Sequence, residues 1–354
     1  MNLSDDNLSI DGSVSRTIGE ILASANNGEV LTRWRDCQCT SRQWPKNKDA
    51  IRAMLKVADA LRLEGRFSES VELAETCLES AFALHAEAQV SSAYLVLGSI
   101  SHQQGSIREA RESFSDAAAA ARRCGDTGTI CRSALWLSYL EKTVGHLGIA
   151  LEYAEQCLKI ADQSSQSRWQ IAACRSIGIV AAHRGDFQLA IKTLNRGVEL
   201  AIAEEDGIER ARTRLVRAVT SSRMEQLEQA KSDILMAREQ LSNGASIRDQ
   251  AITYEYEAVL NLNQGDLDAA EVAIKKAVEI SLNEFPDGDM TSQSYRIWAE
   301  IDVKRSDFKA AKEHAMDALG VARRVGSVSK LGPSRESRRN VMTQTGKPRV
   351  LRGT

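Results

Sequence analysis

Apolar and small residues recur at intervals of three and four through most of the chain. In residues 91–104, SSAYLVLGSISHQQ, one helical face carries Tyr94, Leu97, Gly98 and Ser101. In 108–123, REARESFSDAAAAARR, another carries Ala110, Phe114, Ala117 and Ala121. No strand-like alternation persists, so the pattern predicts helices and no sheet. Between the two stretches stands Gly105, which takes positive φ at little cost and suits a tight turn. This helix–Gly–helix unit repeats. Gly65, Gly105, Gly145, Gly185 and Gly265 are separated by multiples of 40 residues, Glu225 fills the missing mark, and Ser306 comes one residue late for the next. The text after each mark is alike: GRFSES, GSIREA, GHLGIA, GDFQLA, EQLEQA, GDLDAA, SDFKAA. With only 22 Gly in 354 residues, recurrence at one fixed period signals an internal repeat, and a repeat of this size predicts a stacked array.

Two residues past each mark comes a bulky apolar side chain (Phe67, Ile107, Leu147, Phe187, Leu227, Leu267, Phe308), expected to plug the turn. Three further on is a small one (Ser70, Ala110, Ala150, Ala190, Ala230, Ala270, Ala311), which lets paired helices approach closely. These features resemble the tetratricopeptide (TPR) repeat, with its W-x2-L-G-x2-Y and A-x3-F signature. One unit gives Tyr94-x2-Leu97-Gly98-x2-Ser101, then Ala110-x3-Phe114; another gives Cys174-x2-Ile177-Gly178-x2-Ala181, then Ala190-x3-Leu194; the last gives Tyr295-x2-Trp298-Ala299, then Ala311-x3-Ala315. The match covers roughly residues 51–326. The period departs from the usual 34, and the Pro that often closes a unit is absent, so the form is similar to the long-repeat TPR arrays of MalT-like bacterial regulators. HEAT and armadillo repeats share the 40-residue length, but the Gly turn with its spaced aromatic and Ala favours TPR. The resemblance implies an all-α, right-handed α-solenoid superhelix of about seven helix pairs.

The expected organisation is a disordered N-terminus over 1–15, a helical cap over 16–50, the array over 51–326 and a basic, disordered tail over 327–354. The cap contains SRTIGEILASA, an Asn26-Asn27-Gly28 turn and VLTRWRD, with Trp34 and Trp44 expected to cover the first unit. A helix-turn-helix DNA reader needs more helix than this segment offers. The tail carries seven Lys or Arg against one Glu, so the remainder holds −8 of a total of −2. It reads as a solvated end, with nucleic acid the least favoured partner. No apolar run reaches the roughly 20 residues needed to span a bilayer, and the polar start is no secretory signal; a cytoplasmic protein is expected.

Catalytic spacings are missing. There is no G-x4-G-K-[ST], H-E-x-x-H, G-x-S-x-G or G-x-G-x-x-G, and Thr345-Gly346-Lys347 lacks the earlier Gly. Cys77 and Cys157 fill equivalent small-residue positions and are expected in the core. Cys37-x-Cys39 is a close pair with no second pair to complete a zinc site. The expectation is a non-enzymatic scaffold or adaptor with no metal and no cofactor.

Solenoids bind through their concave face, and by resemblance the first helix of each unit lines it. The residues expected there are Arg52, Arg62, His102, Arg132, Tyr139, Lys142, Arg175, His183, Arg212, Arg223, Arg296 and Lys304. Their cationic character points to an acidic or extended peptide or protein partner, since Arg pairs well with carboxylates. An ordinary solvated face is the competing reading. The alternative function is the effector-sensing module of a bacterial signalling or transcriptional regulator without its output domain, with a small-molecule effector in the groove.

Overall fold

The computed structural model describes residues 14–37, 47–242, 246–284 and 289–328. The described residues form sixteen helices and no strand. A pair, α1 (residues 14–23) and α2 (Asn27–Asp36), opens the stack. Seven pairs follow: α3 (Lys48–Leu63) with α4 (Phe67–Ala83), α5 (Glu87–Gln103) with α6 (Ile107–Cys124), α7 (Thr127–Thr143) with α8 (Leu147–Gln163), α9 (Ser167–Arg184) with α10 (Phe187–Ala203), α11 (Gly207–Arg223) with α12 (Leu227–Ser242), α13 (Ile247–Gln264) with α14 (Leu267–Glu284), and α15 (Asp289–Lys304) with α16 (Phe308–Val328). The chain is an all-α solenoid of TPR-like helix pairs.

Each mark of the 40-residue repeat has positive φ, from 61° at Glu225 and Ser306 to 87° at Gly145. The joints between units obey the same rule: His85, Gly125, Ser165 and Glu205 lie midway between marks with φ of 51°, 73°, 50° and 56°. From Gly65 to Glu225 the chain therefore turns every 20 residues in one way. At each turn the next residue's N–H donates to the carbonyl five positions back, as in Arg66 to Leu61 (2.9 Å), Ala86 to Ala81 (2.9 Å) and Asp206 to Ala201 (3.0 Å). This Schellman closure satisfies carbonyls that a helix end otherwise leaves unpaired. The inter-unit joints leave little trace in composition because His, Ser and Glu stand where Gly is expected. Asp206, one of three acidic residues closing α10, also caps α11 by accepting from the Glu209 N–H at 2.9 Å.

Within a pair, small residues face large ones. Gly98 lies under the Phe114 ring, where a Cβ would come within 2.8 Å, and Gly178 lies under Leu194, where it would come within 2.5 Å. The small-residue ladder from Ser70 to Ala311 is buried throughout, and Cys77 and Cys157 are fully buried. The bulky residues past each mark plug their turns unevenly: Ile107, Leu147 and Phe187 pack against the buried core. They are half-buried at best, Leu227 is 37% exposed, and Phe308, beyond which no further helix packs among the described residues, is 69% exposed.

The first helices of the pairs (α3, α5, α7, α9, α11, α13, α15) contact one another along the stack, whereas the second helices make no comparable contact. The stack therefore curves with the first helices inside. At its start, Val14, Ile18, Ile21, Val30 and Leu31 join the core of α3 to α5, with Trp34 packed against it. The Lys56 ammonium donates to the Leu22 and Ser24 carbonyls at 3.2 and 2.7 Å, closing the C-terminal end of α1. Helix α1 begins at 14, inside the segment 1–15 expected to lack structure, and α16 runs to Val328. Cys39, Trp44 and the basic tail beyond 328 lie outside the described residues.

Candidate functional site

The inner helices carry all twelve residues that the sequence assigns to the concave face, and their surroundings divide them. Several of the arginines are neutralised by the fold. Arg52 pairs with Asp49 at 2.7 Å. Arg62 pairs with Asp59 at 2.8 Å and donates to Gln103 on the next inner helix at 2.8 Å. Arg175 pairs with Glu209. Arg212 takes Glu209 at 2.7 Å and grips Asp249 with two nitrogens at 2.7 and 2.9 Å. The chain Arg175–Glu209–Arg212–Asp249 thus bolts α9, α11 and α13 together. Its hydrogen bond to Asp249 raises Arg212 above its ordinary pKa. Burial opposes charge on Glu209 and Asp249, yet the arginines prevail and hold both carboxylates below their usual range.

A second group forms an aromatic shelf. The His102 ring lies 5.1 Å from Trp136 and 5.2 Å from Tyr139, and Trp136 meets Tyr139 edge-on at 5.9 Å. Trp136 stacks on the buried Phe114 ring at 5.2 Å, so it is tied into the core, while Tyr139 is 38% exposed. The Lys142 ammonium sits 4.7 Å above the Tyr139 ring. Arg132 lies 5.7 Å over Trp169, and Arg168 lies 5.3 Å from the same ring. Partial enclosure and the neighbouring Arg168 lower Arg132, against the pull of Asp59 and Asp126.

The third group is cationic and uncompensated. Among the described residues, Arg132, Lys142, Arg223 and Lys304 have no carboxylate within ion-pair distance. Lys142 is held below its ordinary pKa by enclosure in the groove and by Arg296. Enclosure also lowers His183, helped by Lys142, Arg223 and Arg296 and opposed by its bond to the Ile179 carbonyl. Arg296 belongs to α15, Lys142 to α7 and His183 to α9. Charge on the last described inner helix therefore acts on groups at the middle of the stack. Arg296 itself pairs with Glu300. Beside it a concavity of about 640 Å³ is lined by Leu262, Asn263, Arg296, Glu300, Val303 and Lys304, among others.

Sequence reading missed the carboxylates that neutralise the inner arginines. A usable signal existed: Glu209 and Asp249 each stand in a helix's first turn, 34 to 37 residues past the arginines they take up on the preceding inner helix. Two histidine–carboxylate pairs also went unremarked. His146 meets Glu141 at 2.8 Å, with Arg111 on the same carboxylate at 2.6 Å, and His314 meets Asp302 at 2.6 Å while stacking on Trp298 at 4.0 Å. Both are packing arrangements at the ends of inner helices. Among the described residues no group of three or more His, Cys, Asp or Glu is placed to hold a metal, and no helix is long and apolar enough to cross a membrane.

No family model and no curated protein matches the chain. Solved structures match its fold. The apo form of the quorum sensor NprR from B. thuringiensis shares 12% identity at a TM-score of 0.66, covering 90% of this chain and 89% of that one. A Rap protein complexed with competence and sporulation factor shares 10% identity at 0.63, covering 92% and 99%. The Rap conjugation gene regulator of plasmid pLS20, in complex with the Phr* peptide, shares 12% identity at 0.63, covering 92% and 98%. The likeness is one of TPR-like architecture over nearly whole chains.

Proposed function

We propose that this chain is a non-enzymatic regulator that takes an extended peptide into its inner groove. The observation that carries this reading is the groove itself: a preorganised aromatic shelf with Tyr139 exposed lies beside cations that the fold leaves without carboxylates. Aromatic side chains fixed by packing bind apolar side chains at low entropic cost, and cations without partners select an anionic one. The likeness in fold to a Rap protein complexed with competence and sporulation factor, and to another in complex with the Phr* peptide, supports a peptide as occupant. The 40-residue period, similar to that of MalT-like regulators, fits the same regulatory class. A signalling role follows if occupancy changes the curvature of the stack.

The test is native mass spectrometry and calorimetry of the full chain with synthetic pentapeptide pools. Peptides are expected to bind, and Tyr139→Ala to weaken them by roughly tenfold, the scale of one aromatic contact and its cation–π neighbour, in a chain that still melts cooperatively at a slightly lower temperature. Absence of any bound peptide up to millimolar concentration would overturn the reading.

A further inference from the structure

The fifth helix pair departs from the repeat on the side away from the groove. Arg217 stands eight residues before the mark at 225, where the four preceding units carry the buried Val57, Leu97, Leu137 and Ile177. Arg214 stands where the repeat signature places Tyr94 and Cys174, and Arg210 lies one turn before it. At intervals of four and three, the three arginines share one face of α11, opposite Arg212 and Arg223. Their partners belong to second helices, Asn195 to α10 and Asp233 and Gln240 to α12. Arg217 donates to Asp233 from two nitrogens at 2.7 and 2.8 Å and to Asn195 at 2.8 Å. Arg214 Nε lies 3.9 Å from the same carboxylate, beyond hydrogen-bond reach, and is buried without a hydrogen-bond partner. Oriented to accept, the Gln240 amide oxygen takes Arg210 Nε and Nη2 at 2.9 and 3.0 Å and Arg214 Nη1 at 3.0 Å.

These contacts account for Arg217 and leave the other two in excess. Asp233 is 1% exposed and already gripped by Arg217. Among the described residues Arg210 has no carboxylate within ion-pair distance. Three guanidinium groups therefore share one negative charge and one neutral amide. Enclosure holds Arg214 below its ordinary pKa against the pull of Asp233, and Arg210 and Arg217 add to the lowering. Packing alone does not call for this excess, since apolar residues fill the same column in the preceding units without the cost of burying charge. Outer helices α10 and α12 both pack on α11 but make no comparable contact with each other. The cluster is thus the floor of a cleft between them, and all three arginines are partly exposed there.

A phosphate dianion matches this floor in charge and in shape. Planar guanidinium forks bind phosphate oxygens two at a time, and two negative charges balance the excess of two positive ones. We propose that Arg210 and Arg214, backed by Arg217, seat a phosphate group in the cleft between α10 and α12, on the opposite face of α11 from the peptide groove. The ligand is inorganic phosphate or a small phosphate monoester.

Calorimetric titration of the full chain with inorganic phosphate tests this, at constant ionic strength and above the second ionisation of phosphate, with wild type, Arg210→Met, Arg214→Met and Lys231→Met. The wild type is expected to bind one ion. Each arginine variant is expected to weaken binding by about tenfold or more, the scale of a charge-assisted hydrogen bond. Lys231, exposed on α12 and outside the cluster, should bear substitution without change, which separates a built seat from general surface charge. Arg210→Met breaks no ion pair among the described residues, so it keeps the test decisive if Arg214→Met fails to fold. A parallel titration with phenyl phosphate separates the sources: equal affinity supports a monoester as occupant, and exclusion supports the free ion. Absence of saturable binding up to tens of millimolar phosphate would overturn the proposal. So would an affinity unchanged in both arginine variants, which would put the ion elsewhere on the chain. Neither result bears on peptide binding in the groove.

Discussion

A methyl group added at position 98 would meet the Phe114 ring at 2.8 Å, and that ring is buried and stacked on Trp136. The residue is glycine because of this approach, although it lies mid-helix, where glycine costs about 1 kcal/mol relative to alanine. Overpacking costs about 1–3 kcal/mol. Gly98→Ala is therefore expected to destabilise the protein by about 1 kcal/mol net of the propensity gain, read as a lower midpoint in thermal denaturation. Phe114→Leu in the same chain should recover part of the loss, and a single variant as stable as the wild type would show that the ring can swing aside. This contact was legible in the sequence, since Leu97-Gly98 and Ala110-x3-Phe114 stand at signature spacing and the contact forms within one helix pair. The turns at His85, Ser165 and Glu205 were not, because a left-handed residue that is not glycine leaves no mark in composition.

Among elements, the inner helices divide their cations between holding the stack and facing its contents. Arg212 and Arg223 sit on the same helix, α11, and look alike in sequence. Arg212 spans to Asp249, whose side chain is 4% exposed, and to Glu209. Arg212→Met strands those carboxylates. A fully buried broken pair costs about 3–5 kcal/mol; with Arg212 itself 38% exposed, about 2–3 kcal/mol is expected, measured as a shift in urea midpoint. Arg223→Met has no pair to break and should fall within about 0.5 kcal/mol of the wild type. Sequence reading grouped both residues in the groove because the curvature of a solenoid can be anticipated from its repeat. Which arginine finds a carboxylate depends on how successive units stack, a relation across 34 to 37 residues that periodicity does not report. The same limit hid the action of the Arg296 charge on Lys142, four inner helices away.

Across the whole molecule, each pair contacts its neighbours, and the shape of the groove is the sum of small rotations at identical joints. From Gly65 to Glu225 the turns recur every 20 residues, while the inner and outer roles alternate. Length changes therefore have a parity. Excising residues 146–185, from one mark to the next, joins Gly145 to the start of α10 and leaves every later helix on its own side. This shorter chain is expected to fold and melt cooperatively by circular dichroism. Excising only 146–165 joins the same turn to α9, an inner helix in an outer position, and exchanges inside for outside in everything that follows. Half the deletion should do far more damage, because the backbone's shortest repeat is half the length of the smallest piece that can be added or lost without reversing the molecule's faces.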